Sequence, residues 1–305
     1  MKANRSARAR IDDEAGAEVV GALILFGIFV TVIAILNVTS VPNAGLASEE
    51  EHYETVLSAL NGLQADAESA ALEGNEGATV AASLALAPHR TIGQDFFSFF
   101  MATPARASGE LTFEPGYGDV KLFHYKNGAP NAFYDIGNPA ATFALGRLTF
   151  DPHPVFRGAG VIDVENGAIL ATGGSTSTVR YEPPVSVEIA GSTTKINVQP
   201  RILNGTEFNV GGTAPVRLLV TTESATLVSP PANNAQNVTL VLATDHPAAW
   251  QSYLAGISDD AGLVNGTQYY VGANATAVTW IVNGTSNGND IRLTSGVAVY
   301  GVRLS

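Results

Sequence analysis

A single apolar run near the start of the chain constrains the fold more than any other feature. Between residues 19 and 36 only Thr31 is polar, and the run contains no charged residue. As a helix it would extend about 27 Å, close to the thickness of the hydrocarbon core of a bilayer. The run therefore predicts a transmembrane helix over residues 15–40, and the rest of the sequence contains no comparable segment.

The charges that flank this run differ in sign. Residues 49–51, which follow it, are all glutamate, and four basic residues precede it: Lys2, Arg5, Arg8 and Arg10. Because basic residues concentrate on the cytoplasmic side of membrane helices, this asymmetry favours a cytoplasmic basic leader over residues 1–14. The sequence thus predicts a single-pass protein of the cell membrane, with the lipid bilayer as a partner and the C-terminal domain extracellular.

Three kinds of N-terminal segment fit the apolar run. An uncleaved signal-anchor is the first. A secretory signal peptide is the second, because small residues suited to a signal peptidase occupy positions 45–47, although the apolar run is longer than such peptides use. A pilin-type segment, whose leader is trimmed just before the helix, is the third. Glu18 separates these alternatives, because a carboxylate at the start of an apolar helix is costly unless it reaches a polar surface or a partner.

Apolar residues continue after the run at helical spacing. They recur every three or four positions from Tyr53 to Ala71, which is typical of an amphipathic helix. Pro42 predicts a kink before this helix, residues 43–45 predict an interruption, and Gly74 predicts its end. We therefore expect a stalk helix over residues 45–74 that packs on a globular head.

Short alternating apolar runs replace the helical spacing from residue 78 onward. Gly, Pro and Asn-Gly turn signals separate them, as in antiparallel β-sheet proteins. Pro230 and Pro231 favour a boundary between a β-rich domain over residues 78–228 and a C-terminal β/α subdomain over residues 232–305. Within the latter, Asp245 is the expected N-cap of a helix. The predicted fold class is α+β, with a long N-terminal helix and a β-rich, antiparallel sandwich-like extracytoplasmic head.

Composition excludes several kinds of function. The net charge of -12 does not suit nucleic-acid binding, and the absence of cysteine rules out disulfides, thiolate metal sites and a cysteine nucleophile. The sequence shows no Gly-x-Ser-x-Gly nucleophile elbow, a motif in which the serine lies on a turn between a strand and a helix. No pair of histidines shows metal-ligand spacing on one element; the five are His52, His89, His124, His153 and His246. We therefore expect no catalytic residue, cofactor or metal, and an extracytoplasmic hydrolase is the least favoured alternative.

Several Asn-x-Ser/Thr motifs predict N-glycosylation. These motifs are acceptor sites in exported proteins, and most of them cluster in the C-terminal third of the chain. Asn-Gly pairs also favour tight β-hairpin turns, so a structural role is the alternative at some of them. The candidates are Asn204, Asn237, Asn265, Asn274 and Asn283, and Asn37 carries a sixth motif.

Three stretches give the chain a likeness to a known group. They are residues 18–27 after the Arg-rich leader, residues 164–184 with a Glu-Asn-Gly-Ala segment, and residues 241–254 with an Ala-Trp-x-x-Tyr segment. In these stretches the chain resembles the archaeal, haloarchaeal-type family of type IV pilin-like exported surface proteins. In type IV pilins a glutamate near the start of the mature helix pairs with the N-terminal amine of a neighbouring subunit. The resemblance implies this assembly role for Glu18.

The resemblance also implies a general function. It predicts a membrane-anchored cell-surface structural or interaction protein, a minor type IV pilin-like subunit that displays a β-rich head. Its partners would be other pilin-like subunits or cell-envelope proteins, and it would have no enzyme activity. An anchored adhesin or a glycan- or protein-binding module is the alternative.

Overall fold

Residues 4–88, 107–126, 129–134, 143–158, 160–284 and 290–305 are described by the computed structural model. The first element is helix α1, Asn4–Leu72, which contains Pro42. The helix continues through Pro42 and residues 43–45, where the sequence predicts a kink and an interruption. Its C-terminus is closed by a Schellman motif: the Gly74 N–H donates to the Ala71 carbonyl at 3.1 Å, and the Asn75 N–H donates to the Ala70 carbonyl at 3.0 Å.

The prediction of an N-terminal transmembrane helix is wrong. In the part of the chain that the structure describes, no helix combines the length and the apolar character needed to cross a bilayer. The apolar residues 19–35 are one section of the 69-residue helix α1. The expected single-pass location, with an extracellular C-terminal domain, is corrected by the same finding.

The rest of the described chain is mostly β, which confirms the expected β-rich fold but corrects the α+β class with its membrane helix. One further helix, α2, spans Pro247–Asp260. The strands are β1 (Thr79–Leu84), β2 (Ser108–Lys126), β3 (Ala129–Tyr134), β4 (Phe143–His153), β5 (Gly160–Glu165), β6 (Ala168–Gly173), β7 (Thr176–Tyr181), β8 (Val185–Ala190), β9 (Thr193–Val198), β10 (Arg201–Gly205), β11 (Phe208–Gly212), β12 (Val216–Ala235), β13 (Asn237–Ala243), β14 (Tyr269–Ala273), β15 (Ala277–Asn283) and β16 (Asp290–Leu304).

The strands form two sheets. The first has the order β1-β12-β16-β9-β8, with β10 also paired to β16, and the second has the order β14-β15-β13-β2-β4-β5-β6-β7, with β3 and β11 also paired to β2. Pairing is antiparallel except where β16 runs parallel to β9 and β10. Strand β12 continues through residues 229–231, the predicted domain boundary, and both sheets contain strands from each side of it.

The chain divides into two compact units. The first includes residues 1–50 and 155–157, and the second includes residues 51–88, 106–154 and 158–305. The second unit has two apolar clusters. One surrounds Trp250 of α2 and Trp280 of β15, and the other joins the C-terminal part of α1 to Phe113 of β2 and Phe150 of β4. Both sheets are therefore held by apolar cores to which a helix contributes one side.

Candidate functional site

Among the described residues of the first unit, the most exposed apolar surface lies on α1. We call residues 19–38 of this helix the apolar section. Leu25 is 70% exposed, Phe26 is 65% exposed and Val38 is 75% exposed. Nine other large apolar side chains of the section are 46% to 64% exposed: Val19, Val20, Leu23, Ile24, Ile28, Phe29, Val30, Val32 and Ile35. Ile33 is half-buried.

The apolar section is apolar on all sides of the helix. Successive helical residues are about 100° apart, so the four consecutive residues 23–26 together face every direction around the axis. A helix that is apolar all round is stable only when neighbours cover it on several sides. Burying one such large side chain contributes about 1.5–3 kcal/mol. The surface is therefore suited to association with several other helices.

Glu18 comes directly before the apolar section. Its backbone belongs to α1, and its side chain lies outside the described residues. The assembly role that the sequence assigns to Glu18 stays a prediction.

A buried carboxylate joins the end of this part of α1 to the segment between β4 and β5. Glu49 is 6% exposed and accepts hydrogen bonds from the backbone N–H groups of Val155 at 2.7 Å, Phe156 at 2.9 Å and Arg157 at 2.7 Å. The Arg157 guanidinium donates to Glu50 at 2.6 Å. Charge-assisted bonds to three backbone groups satisfy the buried carboxylate and hold the segment against the helix.

A polar network surrounds the start of α2 in the second unit. His246, rather than the predicted Asp245, occupies the N-cap position, and its side chain caps no helix N–H. The His246 ring instead meets Ser177 Oγ through Nδ1 at 2.9 Å and Asp163 Oδ2 through Nε2 at 2.9 Å. Thr149 Oγ1 donates to the other Asp163 oxygen at 2.5 Å. Asp245 is not the cap because its carboxylate pairs with Arg147 at 2.7 Å.

Burial and charge shift the pKa of both ionisable groups at the centre of this network. Burial lowers the pKa of His246, but the hydrogen bond to Asp163 and the charges of Asp163 and Glu165 outweigh it and raise the pKa above its usual value. Burial raises the pKa of Glu165, although its carboxylate accepts hydrogen bonds from Thr244 at 2.5 Å and Trp250 at 2.6 Å. The second carboxylate oxygen of Glu165 is buried with no hydrogen-bond partner, so only one of its two oxygens is compensated for the loss of water.

Arg147 closes the network on its exposed side. Its guanidinium donates to Glu114 at 2.6 Å and to Asp245 at 2.7 Å, and it lies 3.8 Å from the ring centroid of Tyr117. Burial lowers the pKa of Arg147, but these two hydrogen bonds outweigh it and raise the pKa. Burial, followed by the charge of Glu165, raises the pKa of Tyr117. The network thus fixes the N-terminus of α2 to strands of the second sheet.

The network places a serine, a histidine and an aspartate in hydrogen-bonded order, a grouping that the sequence did not predict. Ser177, His246 and Asp163 belong to β7, the start of α2 and β5, so no local motif joins them. Nucleophilic catalysis needs this contact and also donors for a developing oxyanion. Ser177 Oγ is also 2.9 Å from Thr172 Oγ1. The observed contacts join β5, β7 and the start of α2.

The remaining histidines that the sequence singles out do not join this network. His89 and the His124 side chain lie outside the described residues. His52 packs edge-on against Phe150, and burial lowers its pKa. His153 is 3.8 Å from Asp151 at the end of β4. Among the described residues, no group of three or more His, Asp or Glu side chains is placed to hold a metal ion.

The glycosylation candidates occupy different environments. Asn265 and Asn274 are exposed. Asn274 Oδ1 accepts hydrogen bonds from the backbone N–H groups of Thr276 at 2.9 Å and Ala277 at 2.8 Å. The side-chain amide nitrogen of Asn274, the atom that glycosylation would modify, takes no part in these two bonds. Asn204 Nδ2 donates to Glu223 at 3.1 Å.

The other two candidates lie in strands. Asn237 begins the central strand β13 and has a buried Oδ1 without a hydrogen-bond partner, whereas Asn283 Nδ2 donates to the Thr267 carbonyl at 3.4 Å. The side chain of Asn37 lies outside the described residues. Their modification stays a prediction.

Comparison with known proteins yielded no match to a protein family, to a curated protein or to a solved structure.

Proposed function

We propose that this protein is a structural subunit whose copies assemble through the apolar section of α1. The observation that carries the proposal is the exposure of large apolar side chains on every side of residues 19–38. Copies of the same chain are the favoured occupants of this surface, because each copy brings a helix that also needs apolar neighbours on several sides. The resemblance to type IV pilin-like proteins supports the same function.

The geometry of such an assembly follows from the helix. A helix that contacts neighbours on several sides uses different faces for different copies, so the contacts are heterologous. Heterologous contacts that do not close into a ring continue as a filament. Glu18, which precedes the apolar section, would then need a cationic partner on a neighbouring copy, because an unpaired carboxylate within an apolar interface is strongly unfavourable.

Sedimentation velocity on the purified full chain over a range of concentrations tests the proposal, with negative-stain electron microscopy of the largest species. We expect concentration-dependent assembly. Two carboxylates placed in the interface by Leu25→Asp and Phe29→Asp should abolish it, because each buried charge costs more than the lost side chain contributes.

Val264→Asp is the matched control. Val264 is 57% exposed but belongs to the second unit, so this substitution should leave the assembly unchanged. A wild-type chain that stays monomeric at all concentrations would refute the proposal. Equal loss of assembly in the control would refute the assignment to the apolar section.

A further inference from the structure

An open groove lies in the second unit, among strands β10, β11, β12 and β16. Its volume is about 480 Å³, within the range of small-molecule binding sites. The turn between β10 and β11 forms one side, and β12 and β16 form the other. The lining includes Thr206, Glu207, Phe208, Glu223, Arg303 and Gly301.

Glycines bring the walls of the groove close together. Gly205 has φ 152°, and a Cβ atom there would lie 2.4 Å from the Val302 carbonyl oxygen. A Cβ atom at Gly301 would lie 2.5 Å from Glu223 Oε1, so the Glu223 carboxylate rests over Gly301. At Gly205 the near atom belongs to the backbone, so a larger residue there would displace the wall of the groove, whereas at Gly301 it would displace the Glu223 side chain.

The Glu223 carboxylate is held in place from a second direction. Asn204 Nδ2 donates to its Oε2 at 3.1 Å. One oxygen is thus oriented by the amide and the other lies over Gly301. The carboxylate is exposed, so it can also accept hydrogen bonds from the donors of a ligand.

An aromatic ring supplies the apolar part of the groove. Phe208 is half-buried, and its ring packs on Phe113 with a centroid distance of 5.7 Å and an interplanar angle of 31°. Because Phe113 is fully buried, it restrains the Phe208 ring. A restrained aromatic ring beside fixed polar groups suits a ligand with both an apolar face and hydroxyl groups.

The charges of the groove select among ligands. The carboxylates of Glu207 and Glu223 outnumber the guanidinium of Arg303, so the groove disfavours acidic ligands. Neutral hydroxyl groups, by contrast, donate to carboxylates and accept from a guanidinium. We propose that this groove binds a neutral hexopyranose unit of a carbohydrate, with its C–H face on Phe208, neighbouring hydroxyls donating to Glu223, and Arg303 donating to a sugar oxygen.

Saturation-transfer NMR and isothermal titration with the full chain test this proposal. The probes are the methyl glycosides of glucose, galactose and mannose, with N-acetylneuraminic acid and 1,5-diaminopentane as charged probes. We expect at least one neutral glycoside to bind with a Kd of about 1 mM, and N-acetylneuraminic acid not to bind. Binding of the diamine alone, or of no neutral glycoside, would overturn the proposal.

Variants place the binding in the groove. Phe208→Ala and Glu223→Gln should each weaken binding by about tenfold or more, a loss of about 1.4 kcal/mol. Phe208→Tyr, which keeps the ring, should retain binding. Glu188→Gln is the control. Glu188 forms an ion pair with Lys195 at 3.2 Å and does not line the groove. Unchanged binding in both Phe208→Ala and Glu223→Gln would overturn the assignment, whereas assembly through α1 should be the same in all four variants.

Discussion

The two parts of helix α1 use apolar side chains in opposite ways. In the apolar section these side chains face all directions and are exposed, whereas Tyr53, Val56, Leu60 and Leu63 form one stripe and are at most 6% exposed. A stripe three or four residues apart needs cover on one side only, and the strands of the same chain supply it. All-round apolarity needs cover on every side, which one sheet cannot provide. The width of the apolar face thus separates a helix covered by its own chain from one that needs other molecules.

Truncating one leucine in each part should give the largest contrast. Leu60→Ala should lower the free energy of unfolding in urea by about 2–5 kcal/mol, because it leaves a cavity in a packed core. Leu25→Ala should change it by less than about 0.5 kcal/mol, since the side chain is exposed within the monomer. In sedimentation velocity, Leu25→Ala should weaken assembly by about tenfold. Leu60→Ala should leave the assembly of the folded protein unchanged, because Leu60 lies outside the apolar section. Equal destabilisation by the two substitutions would contradict the difference in burial between the two parts of α1.

The junction after the apolar section can be perturbed separately. Gly45 lies under the ring of Phe156, and a Cβ atom there would be 2.2 Å from that ring. Gly45→Ala should therefore displace Phe156 at a cost of about 1–3 kcal/mol. Hydrogen exchange at the Val155, Phe156 and Arg157 amides, which donate to Glu49, should become faster. Gly62→Ala is the control because a Cβ atom there would meet nothing within 4 Å, and protection of the same amides should be retained in it.

A pH titration should affect the second unit but not the apolar section. The pKa of His246 is raised in the folded state, so its stabilising effect is complete below the unfolded value of about 6.5 and is lost as pH rises through the folded value. The raised pKa of Glu165 acts in the same direction above its usual value of 4.5. Urea unfolding should therefore show decreasing stability as pH rises above about 6.5.

Two controls isolate this effect. His246→Gln should flatten the decrease, whereas His153→Gln, at an exposed site, should not. The apolar section contains no ionisable side chain between residues 19 and 38, so its contribution to assembly should not vary over this range. Rising stability as pH rises above about 6.5 would contradict the role assigned to His246.

The smallest effect is expected at Thr31. Its Oγ1 donates to the Gly27 carbonyl at 2.8 Å within the exposed helix. Thr31→Val removes this bond but adds a methyl group to the apolar section, so the unfolding free energy should change by less than about 0.5 kcal/mol. Assembly should strengthen slightly in sedimentation. Weaker assembly in this variant would argue that Thr31, rather than its apolar neighbours, forms the contact.

Local patterns in the sequence were informative where short-range chemistry decides the structure. Alternating runs predicted strands, and the Asn166-Gly167 pair closes the β5–β6 hairpin with φ values of 47° and 78°, as a type I′ turn requires. Pro247 begins α2, but His246 rather than Asp245 takes the N-cap position. The Asp245 carboxylate instead pairs with Arg147, a residue distant in sequence that no local capping pattern could specify.

Long-range pairing was beyond the sequence patterns. Strand β16 pairs in parallel with β9 and β10 and antiparallel with β12, and no local feature specifies these partners. The His246 network has the same character, because its members come from β5, β7 and the start of α2. The membrane prediction failed for a related reason: hydropathy measures a run of residues but not the helix in which the run is embedded.

Pro42 has a mechanical consequence for α1. Proline has no N–H group, so the carbonyl of Val38, four residues earlier, lacks its usual helical donor. The bending stiffness of the helix should therefore be lowest at this point, just after the apolar section. A helix that bends at Pro42 can follow a curved bundle of helices while the side-chain contacts on either side of Pro42 are kept. Replacing Pro42 with alanine would make the helix stiffer at this position and narrow the range of curvatures that assembled copies can adopt.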